Sequence, residues 1–342
     1  MGLPLCEPVA HPMREVLVHA VRAEALGVLS IDLRAADGKP LPRFMPGSHI
    51  DVEVPTGAAV APLLRQYSLS NDSSETHRYV IGVGRDPASR GGSAALHDGV
   101  RPGDSLRISN PRNNFPLFES APHSVLIAGG IGITPMLAMA RRLAALGAHW
   151  TLYYCVRTPA RAAFIEDLID LAPTGSKGRL EMVFDGLSGA VRLDLAHVVG
   201  AAPPGSHFYC CGPVPMLRAF ERATEGCDDA HVHLEWFAAP ETPVTDSISA
   251  AGTPGSFVVK LQRSQRQFVV PPDDTILSVL LANDIDVDYS CREGLCGTCE
   301  TRVLAGLPLH LDPVLSGKRQ PVTDKVMVCV SRCAGAELVL DL

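Results

Sequence analysis

The chain contains the stretch Cys291-Arg292-Glu293-Gly294-Leu295-Cys296-Gly297-Thr298-Cys299, which decides how its last third must fold. The cysteines are spaced C-x4-C-x2-C, and Cys329 follows about thirty residues later, as in chains that bind a 2Fe-2S cluster. Thiolates are soft ligands that suit iron and sulfide. Gly294 and Gly297 allow a tight loop whose backbone N–H groups approach the sulfur atoms. The spacing therefore predicts a 2Fe-2S cluster with the ligands Cys291, Cys296, Cys299 and Cys329.

Other interpretations of these cysteines stay open at this point. A structural zinc site usually has paired C-x2-C knuckles, and only one such pair is present. A set of free, buried thiols is the second alternative. The fourth ligand is also open, because the run Val326-Met327-Val328-Cys329-Val330-Ser331-Arg332-Cys333 offers two cysteines. We assign Cys329, because it ends an apolar, strand-like run, whereas Cys333 falls where the chain becomes polar.

The composition is that of a globular protein. The chain has 342 residues, of which 46% are hydrophobic and 20% are charged, and this length suffices for two or three cores. A formal net charge of −7 argues against nucleic-acid binding, which usually needs a basic surface. An acidic surface instead suits docking onto a basic patch of a protein partner.

The sequence predicts neither secretion nor membrane insertion. Residues 1–12 lack a basic segment followed by a long apolar one. The most apolar stretch, 124–140, is interrupted by glycines and by Pro135, so it does not read as a membrane span. A cluster requires reduced thiolates, and we therefore expect the protein in the cytoplasm.

The pattern of apolar residues divides the chain into three folded parts. Short runs of β-forming residues at 15–21, 28–33, 49–54, 78–83 and 105–109 predict an antiparallel barrel or sandwich. Strands at 124–128, 150–156, 180–184 and 207–211 alternate with helices at 135–146, 160–171 and 214–224, which predicts a parallel sheet with crossover helices. A hairpin at 256–262 and 267–270 precedes a helix at 275–283, whose start is favoured by Asp273 or Asp274. We expect domains at 1–118, 119–239 and 256–342, with a Pro- and Ser-rich linker at 240–255.

The run Arg65-Gln66-Tyr67-Ser68 resembles the R-x-Y-S motif of the ferredoxin-reductase superfamily. The resemblance implies that Arg65 pairs with a flavin phosphate, that Tyr67 lies near the isoalloxazine ring, and that the catalytic Ser68 bonds the flavin N5 region. These residue types suit such contacts, because a guanidinium grips phosphate bidentately and a hydroxyl can follow the protonation of N5. Taken alone, the run is also compatible with a barrel strand that carries a surface arginine and a core tyrosine.

Two further runs resemble the phthalate dioxygenase reductase branch of that superfamily. They are Arg90-Gly91-Gly92-Ser93, which together with Ser89 forms a local phosphate cradle, and Pro111-Arg112-Asn113-Asn114-Phe115-Pro116-Leu117. The flavin of that branch is FMN, so the resemblance implies FMN and not FAD. The implied flavin contacts are Arg65, Gln66, Tyr67, Ser68, Val83, Arg85, Gly91, Gly92 and Ser93.

The first strand of the parallel sheet runs into Gly129-Gly130-Ile131-Gly132-Ile133-Thr134-Pro135-Met136, which resembles the G-G-x-G-x-T-P run of the same superfamily. Glycines there let a dinucleotide approach the start of a helix, which Thr134 can cap and whose first turn suits Pro135. Cys210-Cys211-Gly212-Pro213-Val214-Pro215-Met216 resembles the C-G-P-x-x-M element, whose cysteine lies near the nicotinamide. The implied nicotinamide contacts are Gly130, Gly132, Thr134, Pro135, Cys211, Gly212, Pro213 and Met216, with Cys211 in a catalytic role.

Two details of the nucleotide site have alternatives. Arg157 suits the 2′-phosphate of NADPH, whereas Asp185 suits a ribose hydroxyl of NADH. The resembled branch mostly uses NADH, which we therefore expect. In the run Glu235-Trp236-Phe237, Phe237 is either a cover for the flavin ring or a core aromatic residue.

Over nearly its whole length the chain is identified as a member of the phthalate dioxygenase reductase family, and its closing segments look most like the reductases of vanillate O-demethylases. The resemblance implies an antiparallel β-barrel flavin domain, an α/β NAD domain and a β-grasp ferredoxin domain. It implies an enzyme that passes electrons from NADH through FMN and the 2Fe-2S cluster singly to a Rieske oxygenase, either an aromatic-ring dioxygenase or an O- or N-demethylase. One alternative is a reductase for a cytochrome P450, a dehalogenase or another acceptor. The other is a non-catalytic electron carrier or redox sensor.

Overall fold

The computed structural model describes residues 13–55, 63–86, 91–238, 255–315 and 324–342, and all structural statements below concern these residues. The range Pro12–Phe237 forms one compact unit, and the described part of Ala238–Leu342 belongs to a second one. Within the predicted linker, 240–254 lies outside the described residues, as do Ser89, Arg90 and the segment 1–12.

The first unit begins with a six-stranded antiparallel barrel. Its strands are β1 (Arg14–Ala25), β2 (Val28–Ala35), β3 (His49–Val54), β4 (Leu63–Ser68), β5 (Tyr79–Gly84) and β6 (Ser105–Ile108), with helix α1 (Gly92–Gly99) between the last two. The strand order is β4-β3-β6-β1-β2-β5, and a bridge between Leu69 and Ile81 joins the two edges. Alternate residues of these strands, such as Val16, Ile31 and Val52, form the barrel core.

Alternation of apolar residues predicted five of these strands correctly. It missed β4, because the run Leu63–Ser68 carries Arg65 and Gln66 in place of a regular apolar face. It also missed α1, an eight-residue helix whose cap, Gly91, and first residue, Gly92, are both glycine, which disfavours helices.

The same unit continues into a five-stranded parallel sheet. Its elements are β7 (Ser124–Gly129), α2 (Ile133–Ala145), β8 (Trp150–Val156), α3 (Ile165–Leu171), β9 (Gly178–Phe184), α4 (Leu195–Ala201), β10 (His207–Cys211), α5 (Val214–Ala223) and β11 (Val232–Glu235). The strand order is β11-β10-β7-β8-β9. The central strand β7 is buried along its whole length, as expected for a parallel strand covered by helices on both faces.

One predicted helix is wrong. The range 160–171 is divided into a 3-10 turn at Pro159–Arg161 and the shorter α3, because Phe164 takes a left-handed conformation with φ of 58°. Phe164 is buried, and a side chain at Gly82 of β5 would lie 3.2 Å from its ring. The ring thus packs against the barrel, and this contact outweighs the helical pattern of the sequence.

The second unit is a mixed sheet with one helix. Its elements are β12 (Phe257–Leu261), β13 (Gln267–Val270), α6 (Ile276–Ala282), β14 (Glu300–Leu309), β15 (Lys325–Met327) and β16 (Arg332–Leu340). The strand order is β13-β12-β16-β14-β15. The strands β12 and β16, which come first and last along the chain, pair in parallel, and all other pairs are antiparallel. Helix α6 starts with a capping box between Thr275 and Ser278, and Ser278 Oγ also lies 3.3 Å from the carboxylate of Asp274.

Arg332 fastens the start of this unit to its last strand. Its guanidinium donates hydrogen bonds to the carbonyl oxygens of Asp274 (2.6 Å), Pro271 (2.9 Å) and Gly255 (3.4 Å). It also lies 5.1 Å from the ring centroid of Phe257. Carbonyl dipoles thus satisfy the two terminal nitrogens of this buried cation, whereas its Nε has no hydrogen-bond partner among the described residues.

Among the helices of the described ranges, none is long and apolar enough to cross a membrane.

Candidate functional site

The four predicted cluster ligands come together in the second unit as two pairs of thiols. Cys291 interacts with Cys296, and Cys299 interacts with Cys329. Acceptance of a hydrogen bond from Cys291 lowers the pKa of Cys296, and Cys329 lowers the pKa of Cys299 in the same way. In the described part of the chain, His, Cys, Asp and Glu side chains do not gather in threes around a single-metal position. Two pairs of cysteines, once deprotonated, suit a cluster in which each of two irons takes two protein ligands.

The cluster loop directs backbone N–H groups at its first sulfur. The N–H groups of Glu293 and Leu295 donate to Sγ of Cys291 at 3.3 and 3.4 Å. Gly294 has φ of +71°, and a Cβ atom there would lie 2.7 Å from side-chain atoms of Asp312 and Val330. Only glycine fits this position, so the loop is built to surround a charged sulfur centre.

The choice between Cys329 and Cys333 has a structural basis that differs from the predicted one. Cys329 does not lie on a strand, because β15 ends at Met327 and a turn follows. Cys333 lies at the start of β16, where its Sγ accepts from the N–H of Gly335 and donates to the carbonyl of Glu337, both at 3.3 Å. Cys333 is thus engaged within its own strand, which favours Cys329 as the ligand.

Sequence reasoning missed the residues that support this loop. Asp312 is fully buried and accepts hydrogen bonds from Ser331 Oγ (2.9 Å) and from the N–H of Leu315. Ser331 also accepts from the N–H of Leu311. The buried carboxylate therefore ties the segment after β14 to the turn that carries Cys329. A lone aspartate after a strand gives no sequence signal for this role.

In the first unit, Arg65 lies at the start of α1. A side chain at Gly92 would come within 2.9 Å of the Arg65 side chain, and Gly91 has a left-handed φ of 97°. Arg65 donates to the carbonyl of Leu64 at 2.9 Å and forms no ion pair with any described residue. A guanidinium without a carboxylate, beside the N–H groups of a helix start, fits a phosphate group. Ser93 in the first turn accepts from the N–H of Asp86 at 3.2 Å.

The other predicted flavin residues differ in burial and in their hydrogen-bond partners. Ser68 is buried at the end of β4, and burial raises the pKa of Tyr67 to about 12. Gln66 donates to Asp51 at 3.2 Å. The side chain of Val83 belongs to the barrel core, and its carbonyl oxygen contacts Nε2 of His97 at 2.9 Å.

Arg85 is exposed and pairs with Asp98 of α1 through two contacts of 2.6 and 2.9 Å. This pairing lowers the pKa of Asp98. Arg85 thus holds the end of β5 against α1, and it carries a partner that Arg65 lacks.

The two glycine turns predicted to bind the nicotinamide interlock. A Cβ atom at Gly132 would overlap the carbonyl oxygen of Cys211, and one at Gly212 would lie 2.8 Å from Met216 Sδ. One at Gly129 would lie 2.6 Å from Pro213 Cδ. By contrast, Gly130 has φ of +55°, and a Cβ atom there would meet nothing within 4 Å, so this glycine borders open space. The turns after β7 and β10 therefore form one surface at the carboxyl edge of the sheet.

Thr134 does not cap α2, contrary to expectation. The cap residue is Gly132, without a side-chain hydrogen bond, and Thr134 Oγ1 donates to the carbonyl of Ile131 at 3.1 Å. Pro135 does lie in the first turn, as predicted. A side chain at Gly84 of β5 would lie 3.4 Å from Ile131, so the glycine turn packs against the barrel.

Cys211 and Glu235 are neighbours at the ends of β10 and β11. Burial, with the charge of Glu235, raises the pKa of Cys211 well above its usual value, so its thiol stays protonated. Burial also raises the pKa of Glu235 to about 8, although its side chain keeps partial exposure. The carboxyl is thus largely surrounded by protein atoms, while part of the residue is still reached by solvent. Glu235 was not among the predicted site residues. The one feature of the sequence that could have indicated it is an acidic residue at the end of β11, the last strand of the parallel sheet.

Phe237 follows β11 with 39% of its surface exposed, so the core-aromatic alternative is wrong. The buried aromatic residue of this segment is Trp236, under the guanidinium of Arg218 at 5.1 Å. An exposed ring next to Glu235 is available to cover a bound cofactor.

Arg157 and Asp185 follow β8 and β9 and are joined through the turn between them. The N–H of Gly186 donates to the carbonyl of Arg157 at 3.0 Å, and the N–H of Asp185 to that of Val156 at 3.1 Å. The Arg157 side chain is exposed and that of Asp185 is partly exposed, so geometry leaves both alternatives open.

Comparisons with known proteins agree with this arrangement. Residues 259–334 match the family model of the 2Fe-2S iron-sulfur cluster binding domain, and residues 126–222 match that of the oxidoreductase NAD-binding domain. The chain is 49% identical over 325 residues to the phenoxybenzoate dioxygenase subunit beta of Ectopseudomonas oleovorans, covering 95% of this chain and 96% of that protein.

Two solved structures are informative. Phthalate dioxygenase reductase, described as a modular structure for electron transfer from pyridine nucleotides to [2Fe-2S], is 37% identical with a TM-score of 0.67, over 96% of this chain and 98% of the other. An intact type IV self-sufficient cytochrome P450 monooxygenase is 33% identical with a TM-score of 0.84. The match covers 100% of this chain but only 43% of that longer one.

These findings confirm the expected fold class, the oxidoreductase activity and the cofactors FMN, NADH and a 2Fe-2S cluster. The chain has the electron-transfer role of a reductase component of an oxygenase system. The chain belongs to the phthalate dioxygenase reductase family.

Proposed function

We propose that this reductase serves a separate Rieske oxygenase, an aromatic-ring dioxygenase or an O- or N-demethylase, to which it delivers the two electrons of NADH one at a time. The observation that carries the transfer from NADH to the flavin in this proposal is the packing at β5. The glycine turn Gly130–Gly132 contacts this barrel strand at Gly84, while the bridge from Leu69 to Ile81 brings the end of β4 to the same strand. This packing supports a nicotinamide and a flavin side by side.

The flavin supplies the exchange between two-electron and one-electron chemistry, which the cluster requires. The residues of the chain bind and orient. Arg65 and the start of α1 hold a phosphate group, and Cys211 offers an uncharged thiol to the nicotinamide because burial keeps it protonated. Gly130 leaves space for the nucleotide, and Glu235 retains a proton near neutral pH at the end of β11. Cys291, Cys296, Cys299 and Cys329 hold the cluster.

An anaerobic titration with NADH tests the electron path. We expect flavin absorbance to bleach first, followed by the rhombic electron paramagnetic resonance signal of a reduced 2Fe-2S centre. A signal that appears with dithionite but never with NADH would favour the electron-carrier alternative. The flavin released on denaturation should have the mass of FMN, and the mass of FAD would contradict that assignment.

The oxygenase partner is supported by the relatives, since one of them is named as a dioxygenase subunit. The match to a P450 monooxygenase that contains a region like this chain supports a second candidate, delivery to a P450. Reduction of a purified Rieske oxygenase and of a P450 haem by this protein, at equal concentrations, distinguishes the two. Faster reduction of the haem would overturn the Rieske assignment. We also place the protein in the cytoplasm, where cluster thiols stay reduced.

A further inference from the structure

A fully buried carboxyl group lies directly behind the cluster loop. Asp312, in the segment after β14, has no exposed surface. A Cβ atom added to Gly294 would lie 2.7 Å from Cβ of Asp312 and 3.3 Å from its Cα, so Asp312 packs against the loop at this glycine. Burial of a charged group costs free energy unless other groups compensate for it, so a carboxyl at this position calls for an explanation beyond packing.

The hydrogen bonds of Asp312 are those of an ionised carboxylate. Ser331 Oγ donates to it at 2.9 Å, and the N–H of Leu315 donates as well. The hydroxyl oxygen of Ser331 accepts in turn from the N–H of Leu311 at 3.3 Å, which leaves the hydroxyl proton for Asp312. An ionised carboxylate only accepts hydrogen bonds, whereas a protonated one also has a proton to donate. Because both of these partners are donors, a negative charge fits the site.

This charge has little compensation from cations. Among the described residues, no lysine or arginine pairs with Asp312, and Nδ1 of His310 lies 3.8 Å from its Oδ2, which is beyond hydrogen-bond distance. Electrostatic interactions are stronger in a site shielded from water, because the effective dielectric constant is lower there. The charge of Asp312 therefore acts on its surroundings more strongly than a carboxylate on the surface does.

Gly294 lies between this charge and the ligand sulfur atoms. The N–H groups on either side of this glycine donate to Sγ of Cys291, and its own N–H interacts with Cys329. The buried carboxylate is thus behind the part of the backbone that faces two of the four ligands. Net charge and hydrogen bonds near the sulfurs are among the factors that set the potential of an iron-sulfur cluster.

We propose that Asp312 lowers the reduction potential of the 2Fe-2S cluster through its negative charge. A nearby carboxylate repels an added electron, so it favours the oxidised cluster. This inference deepens the proposed function and rests on it in one respect, since a lower potential gives the cluster a larger driving force for passing a single electron to its acceptor. Asp312 is not a cluster ligand, and it acts from behind the loop that carries the ligands.

A potentiometric titration tests the proposal. Purified protein is titrated with dithionite in the presence of redox mediators, and the electron paramagnetic resonance signal of the reduced cluster is followed. In Asp312→Asn, which keeps the shape and removes the charge, we expect the ratio of reduced to oxidised cluster at a fixed potential to rise about tenfold, an upward midpoint shift of about 59 mV. The matched control is Asp286→Asn, the same change on an exposed residue shortly before Cys291. Its midpoint should match wild type, because solvent and salt screen an exposed charge.

The variant Ser331→Ala separates the charge from support of the loop. It removes one donor but keeps the carboxylate, so the midpoint should stay the same or fall. A rise of equal size in Ser331→Ala and Asp312→Asn would assign the effect to a loosened loop and overturn the proposal. A wild-type midpoint in Asp312→Asn would overturn it as well, because the carboxyl would then be protonated or neutralised by His310. If Asp312→Asn takes up no cluster, Asp312→Ser, which also lacks the charge, takes its place.

The titration with dithionite does not depend on the proposed electron path. If NADH fails to reduce the wild-type cluster, the proposed function is wrong, while the midpoints still decide the role of Asp312. If NADH reduces the wild-type cluster but Asp312→Asn and wild type have the same midpoint, the function holds and this inference is wrong.

Discussion

Glu235 shows how a single side chain makes the stability of the folded protein depend on pH. Its carboxyl has a pKa of about 8 because it is buried beside Cys211, whereas an unfolded glutamate ionises near 4.5. Folded protein therefore holds this proton more tightly than unfolded protein does. The contribution to stability is complete below pH 4.5 and is lost as the pH rises through 8.

We expect Glu235→Gln to raise the melting temperature by several degrees at pH 8–9, because the amide removes the cost of a buried charge. The difference should disappear toward pH 5, where the wild-type residue is protonated in the fold. Melting curves across this range check the prediction, with Glu15→Gln on the exposed side of β1 as the control. An equal difference at both ends would show that ionisation is not the cause.

At the scale of elements, the turns after β7 and β10 depend on each other. Gly132→Ala places a methyl group on the carbonyl of Cys211, so the turns have to separate. We expect the rate of flavin reduction by NADH to fall about 100-fold, because the nicotinamide is displaced, while flavin and cluster contents stay normal. Stopped-flow absorbance measures this rate.

The control for that variant is Gly200→Ala. Gly200 lies in α4 with nothing near a Cβ position, so alanine should stabilise the protein by about 0.5–1 kcal/mol and leave the rate unchanged. A normal rate in Gly132→Ala would mean that the interlocked turns do not position the nicotinamide.

A cluster of histidines at the opposite end of β10 and β11 should set acid sensitivity. Nδ1 of His207 lies 3.1 Å from Nε2 of His233, and the ring of His231 is tilted against that of His207 with 4.4 Å between ring centroids. Burial and the neighbouring imidazoles lower the pKa of His233 to about 4, and that of His207 is lowered as well. The unfolded chain takes up protons first as the pH falls from 6.5 to 4, so folding stability falls in that window.

We therefore expect His233→Phe, which keeps the stacking on Tyr209, to flatten the dependence of stability on pH between 6.5 and 4. Urea unfolding at several pH values measures the slope. The exposed His19→Phe serves as the control, and a slope that matches wild type would assign the acid sensitivity to other groups.

The elements and residues that sequence could predict are those whose signal is local. Cysteine spacing predicted the cluster loop, and the glycine runs predicted the two turns. Asp312, which joins Ser331 to the cluster loop, and Arg332, which fastens the start of the second unit to β16, could not be found in this way. Their roles depend on contacts between residues distant in the chain. The single helix predicted over 160–171 was wrong for the same reason, because the ring of Phe164 packs against the barrel at Gly82.

For the whole molecule, the cluster should be the exit for electrons but not their entry. We expect Cys296→Ser to lose the cluster absorbance and nearly all cytochrome c reduction, while NADH still reduces the flavin. Cys333→Ser should keep the cluster spectrum, because Cys333 is engaged within β16. Visible spectra and steady-state assays of both variants check this. Unchanged cytochrome reduction in Cys296→Ser would place the cluster off the electron path.

The parallel pairing of β12 with β16 has a mechanical consequence. The pairing runs from Val258 with Glu337 to Leu261 with Leu340, and Arg332 ties the start of this unit to the same strand. A force that pulls residue 255 away from residue 342 loads these strands in shear, so their hydrogen bonds must rupture together and not one after another. A single-molecule pulling experiment should therefore find the ferredoxin unit resistant along this direction, and tension on the chain that precedes it should leave the cluster loop intact.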